Sequence, residues 1–137
     1  MQYGNGHLYF VWSGWPTIDA EFPQNLYIAP MSDPTTISGP RVLIREPKLN
    51  WETKGAALLE GPQVLEHNGR TFLVFSASGS WTPDYCLGLM GIDDLKDPLE
   101  PSNWWHKVDS PVFWRNDEQS VYGPGHASFT TSPGNVN

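Results

Sequence analysis

The chain has 137 residues, and eight Lys+Arg against fifteen Asp+Glu give a formal net charge of −7 at pH 7. That balance argues against a nucleic-acid partner or an anionic membrane surface. Gly 13 and Pro 13 imply frequent turns, while Trp 7, Tyr 5 and Phe 6 supply too many aromatics for a disordered tail.

The apolar segments are short, rich in aromatic and β-branched residues, and interrupted by Gly or Pro before a helical period can develop. In chain order the pattern predicts strands over Leu8 to Ser13, Asn25 to Met31, Arg41 to Ile44, Val64 to His67, Thr71 to Ser76, Cys86 to Gly91, Pro111 to Trp114 and His126 to Thr130. This is an all-β chain. Unbroken apolar runs such as Leu8 to Trp12 and Phe72 to Phe75 fall far short of the ~20 residues of a membrane-spanning helix. No basic start with an apolar stretch and cleavage site is visible near Met1, and the single Cys86 has no internal disulfide partner.

The chain repeats itself. Asn5-Gly6 followed by Tyr9 to Ser13 matches Asn68-Gly69 followed by Phe72 to Ser76; Asp33-Pro34 matches Asp97-Pro98; and Gly61-Pro62 matches Gly123-Pro124. These landmarks share one period of roughly 62 residues, and each repeat holds about four short strands, the content of a propeller blade. A β-sandwich of regularly spaced hairpins is the alternative architecture. On the propeller reading the chain is about two blades and the start of a third.

Antiparallel succession within a repeat brings the start of its first strand, the end of its second and the start of its third to one rim. That rim collects Glu60, the loop from Ser78 to Tyr85, Gly14-Trp15, Asn25, and Tyr122 to His126. A carboxylate, exposed aromatics and amide or hydroxyl groups on one face suit a sugar, whose C–H faces stack on indole rings while its hydroxyls take hydrogen bonds. Trp12 alternates with Leu8 and Phe10, which predicts a place on the core face.

The segments Leu8 to Trp15, Gln24 to Met31, Glu60 to Leu65, Phe75 to Tyr85 and Tyr122 to His126 together resemble family 43 glycoside hydrolases, in their α-L-arabinofuranosidase branch. The resemblance implies a five-bladed β-propeller, with residues 1–137 as part of its catalytic domain. It also implies an inverting hydrolase with two working carboxylates and a third that tunes the acid. Glu60, in a Glu-x-Pro setting, matches the general acid. Trp15, Asn25, Trp81, Asp84, Tyr85 and Tyr122 are the expected substrate-binding residues, and His126 matches a histidine that holds a metal, often calcium, near the propeller axis. No organic cofactor is implied. The implied substrates are arabinan, arabinoxylan and derived oligosaccharides, and the implied location is extracellular.

By the repeat register, the blade starts that carry the base and the tuning carboxylate lie before Met1. Asp19 and Asp84 fall in loops and match neither, so the chain is expected to be catalytically incomplete. Read without the resemblance, Glu60 is a solvated rim residue, Trp15 and Trp81 are blade packing, and His126 is a satisfied core residue. A non-catalytic sugar-binding propeller and a retaining β-fructosidase of related fold are the other readings of the rim.

Overall fold

The computed structural model describes residues 1–4 and 6–130. Among these the chain forms two antiparallel four-stranded sheets and no α-helix. The first sheet holds β1 (Leu8–Gly14), β2 (Asn25–Asp33), β3 (Thr36–Ile37) and β4 (Val42–Arg45), with both β3 and β4 paired to β2. The second is a meander of β5 (Leu59–His67), β6 (Arg70–Ala77), β7 (Cys86–Asp93) and β8 (Trp105–His106).

The repeat read from the sequence is carried by register. β1 pairs β2 from Leu8↔Met31 to Gly14↔Asn25, and β6 pairs β7 from Arg70↔Asp93 to Ala77↔Cys86, so equivalent strands start and stop at equivalent landmarks. On the first sheet Met1 and Tyr9 exchange two backbone hydrogen bonds, at 2.7 and 2.9 Å, where β5 flanks β6 on the second. The β5–β6 hairpin closes through Asn68 and Gly69, whose φ values of 51° and 72° are the two left-handed residues of a tight hairpin turn. The matching Asn5 lies outside the described residues.

Alternation decides which side chains join the core. Tyr9 and Val11 of β1 face inward with Leu26 and Ile28 of β2, Leu59 of β5, Leu73 and Phe75 of β6, and Met90 and Ile92 of β7. Leu26, Ile28, Leu59, Leu73, Met90 and Ile92 are fully buried, each contributing on the order of 1.5–3 kcal/mol. Trp12 is therefore on the opposite face from the one its alternation with Leu8 and Phe10 predicts. It stacks on Phe10 with ring centroids 5.2 Å apart and leans on Tyr27 at 5.9 Å. The period was right and the phase reversed, because both faces of β1 are apolar.

Two expected strands do not form. Pro111 to Trp114 touches the sheet only through a bridge between Phe113 and Leu87, since β8 already occupies that edge of β7 at Met90 and Gly91. His126 to Thr130 is irregular. His126 adopts φ 53°, and its N–H donates to the Ser76 side chain instead of a strand ladder. The short β3 and β8, two residues each, carry too little alternation to be seen in the sequence.

A buried ion pair fastens β4 to the turn that follows it. Glu52, fully buried, receives Arg45 Nε at 3.2 Å and Arg45 Nη2, together with the backbone N–H groups of Lys48 and Leu49 at 2.9 Å each. Four charge-assisted donors around one carboxylate satisfy it without water.

Candidate active site

Glu60 is the second residue of β5, paired in register with Ser76, and the register slips between Glu60 and Gln63. Gly61 in that bulge has φ 54°, a backbone conformation that favours glycine, and Pro62 removes a ladder donor where none is needed. The bulge turns the Glu60 carboxyl toward the start of β7 and the segment around His126. Tyr85 Oη donates to Glu60 Oε1 at 2.5 Å, and the same hydroxyl lies 3.3 Å from His126 Nδ1. His126 Nδ1 is 3.8 Å from Glu60 Oε1, and His126 N–H donates to Ser76 Oγ at 2.6 Å.

Close approach explains the glycines of this region. A Cβ on Gly61 would sit 3.1–3.2 Å from three atoms of the His126 ring, and a Cβ on Gly125 would meet Tyr85 Cε1 at 2.1 Å. Tyr85 is 5% exposed. Burial and the adjacent Glu60 carboxyl push its phenol well above the ordinary tyrosine range, so its proton stays in place as a hydrogen-bond donor at neutral pH.

Beside this cluster lies an open cleft lined by Glu60, Trp15, Trp81, Gln24 and Leu58, with Glu21 on the same wall. Both indoles are available to a ligand, Trp15 being 48% and Trp81 67% exposed. Trp81 rests on the backbone of Gly79, where a Cβ would come within 2.7 Å of its ring. Ser78 pins the base of the loop by accepting from Lys54 N–H at 2.8 Å and donating to Trp51 O at 2.9 Å.

The structure thus brings Glu60, Trp15, Trp81, Tyr85 and His126 together and places the other predicted residues elsewhere. Asn25 is buried at 1% exposure, where its amide nitrogen meets Tyr27 Oη at 3.3 Å and, among the described residues, its Oδ1 has no partner. Asp84 pairs with Arg115 at 3.3 Å, and the same guanidinium lies over the Tyr122 ring at 5.2 Å. Tyr85 reaches the cluster as a buried donor and presents no open ring face. Sequence reasoning assigned no role to Ser76, Gly61 or Gly125; Gly61 is signalled only as part of the recurring Gly-Pro pair and Gly125 only as the residue that follows it.

Calcium takes 6–8 oxygen ligands as a rule. Among the described residues no group of three or more His, Cys, Asp or Glu side chains could hold a metal. His126 therefore fits as one ligand at most.

Two antiparallel sheets of matching register set a carboxyl beside exposed indole faces, an arrangement that suits a sugar. Residues 1–136 match the family described as Glycosyl hydrolases family 43, and the chain belongs to that family. It is 44% identical over 108 residues to an extracellular exo-alpha-(1->5)-L-arabinofuranosidase of Streptomyces avermitilis, covering 79% of this chain and 22% of that protein. It is 40% identical over 129 residues to alpha-L-arabinofuranosidase 43 of Humicola insolens, covering 93% and 26% respectively. The crystal structure of an alpha-L-arabinofuranosidase from Lactobacillus brevis superposes with a TM-score of 0.86 at 37% identity, covering 93% of this chain and 38% of that one. The chain spans about a quarter of the length of these two curated relatives.

Proposed function

We propose that this chain carries the acid side of an inverting α-L-arabinofuranosidase site within a five-bladed propeller, of which residues 1–137 make about two blades and the start of a third. The observation that carries the reading is the Glu60 carboxyl, held by Tyr85 at the edge of a cleft whose walls include Trp15 and Trp81. The repeated register of the two sheets supports the propeller, and the names of the relatives support the sugar. Two Streptomyces relatives named as extracellular support a location outside the cell.

In this reading protonated Glu60 gives its proton to the glycosidic oxygen as the bond to the anomeric carbon breaks and the electron pair stays with the departing oxygen. Water attacks the opposite face with help from an ionised carboxylate, which inversion places roughly 6.5–9.5 Å from the acid and which the whole protein supplies. Trp15 and Trp81 hold the sugar by its C–H faces. Asn25, Asp84 and Tyr122, which lie outside the cleft, act in this reading only as supports of the rim. The substrates are arabinan, arabinoxylan or oligosaccharides derived from them.

The test is hydrolysis of an α-1,5-linked arabino-oligosaccharide by the whole protein, followed by proton NMR of the first product. Inversion yields the β-anomer first; the α-anomer contradicts it, and binding without turnover points to a sugar-binding module. In the same assay Trp81→Ala is expected to raise KM about three- to tenfold with little change in kcat. An unchanged KM with a lower melting temperature would mark Trp81 as packing.

A calcium ion with His126 as one ligand belongs to the same proposal, its other ligands coming from waters or from the rest of the protein. Prolonged chelation is expected to lower the melting temperature of the whole protein, and His126→Ala to abolish that response. A wild-type protein indifferent to chelation removes the metal from the account.

A further inference from the structure

We propose that Tyr85 is a positioning residue for the acid: its hydroxyl holds Glu60 Oε1, so that Oε2 is the oxygen that carries the transferable proton into the cleft. The inference rests on the reading of Glu60 as the proton donor and adds a residue to it. Oε1 already accepts from Tyr85 at 2.5 Å, a separation typical of a strong hydrogen bond to a carboxyl oxygen. Glu60 lines the cleft, and its side chain retains 26% exposure.

Three features separate Tyr85 from a residue that merely fills space. Tyr85 as a residue is buried, which limits the access of water to its side of Oε1. Its ring is seated against Gly125 at a distance that no larger residue there would permit, which fixes where the hydroxyl points. The groups facing that hydroxyl are Glu60 on β5, Ser76 on β6, Cys86 on β7 and His126 in the segment after Tyr122. When Oε2 releases its proton to the leaving oxygen, negative charge develops on the carboxylate, and the Tyr85 O–H is the donor in place to receive it. Such preorganised donors stabilise developing charge without reorganising at the moment of reaction.

The experiment is Tyr85→Phe in the whole enzyme, which keeps the ring and removes the donor, measured beside Glu60→Gln. Loss of a hydrogen bond to a charged group predicts a fall of about ten- to a hundredfold in kcat on substrates with poor leaving groups, with KM within about twofold. The fall is smaller on aryl arabinosides, whose leaving groups need less help from the acid. Replacing Tyr85 by 4-fluorophenylalanine, which fills the place of the hydroxyl without a donor, gives the same fall and keeps the proposal testable should Tyr85→Phe misfold. A lower melting temperature with unchanged kcat overturns the role of Tyr85 while Glu60→Gln still behaves as a lost acid. Full activity in Glu60→Gln overturns both.

Discussion

Glu60→Gln is expected to lower kcat on natural arabinosides by at least about a hundredfold while leaving substrate binding nearly unchanged. The substitution preserves the shape of the side chain and removes the transferable proton. A sugar alkoxide is a poor leaving group that needs its proton while the bond is breaking. The loss therefore falls on kcat, and the cleft formed with Trp15 and Trp81 keeps its contacts. Steady-state kinetics of the wild type and the variant on one natural arabinoside separates kcat from KM and checks both.

The second large effect is on stability. Glu52→Ala is expected to destabilise the whole protein by about 3–5 kcal/mol, because it leaves the Arg45 guanidinium, only 10% exposed, without its counter-charge. The same change strips the N–H groups of Lys48 and Leu49 of their acceptor. Replacing both charges, with Arg45→Met and Glu52→Leu, should recover only part of the loss, since those backbone groups still lack their carboxylate acceptor. Chemical denaturation of the single and double variants reads these values. A loss below about 1 kcal/mol for Glu52→Ala would mean that the ion pair contributes little.

What was legible in the sequence was mostly local. The Asn68-Gly69 turn, the strands around Leu26 and Phe75 and the shared register of the two sheets follow from turn chemistry and apolar pattern, and all are present. The company of Glu60 with Trp15 and Trp81 was also legible, because antiparallel succession sends the ends of these strands to one rim. Long-range packing was not. Tyr85 reads as an exposed aromatic in a polar loop, yet it is buried because Gly125, forty residues away, gives up a side chain to make room. Asp84 and Tyr122 read as cleft residues, yet Arg115 draws both to itself through charge and a cation–π contact. Pro111 to Trp114 and His126 to Thr130 have strand-like composition, and what keeps them irregular is a sheet edge already occupied in one case and a side-chain acceptor in the other.

Proton delivery from Glu60 to the departing oxygen is read out by a leaving-group series. The measurement is kcat/KM for the whole enzyme and its Glu60→Gln variant on aryl and alkyl α-L-arabinofuranosides whose leaving groups span a wide range of basicity. A shallow dependence is expected in the wild type and a steep one in the variant, with the two converging on the most acidic phenols. Parallel lines, displaced by the same factor across the whole series, would contradict it and make Glu60 a residue that only shapes the cleft.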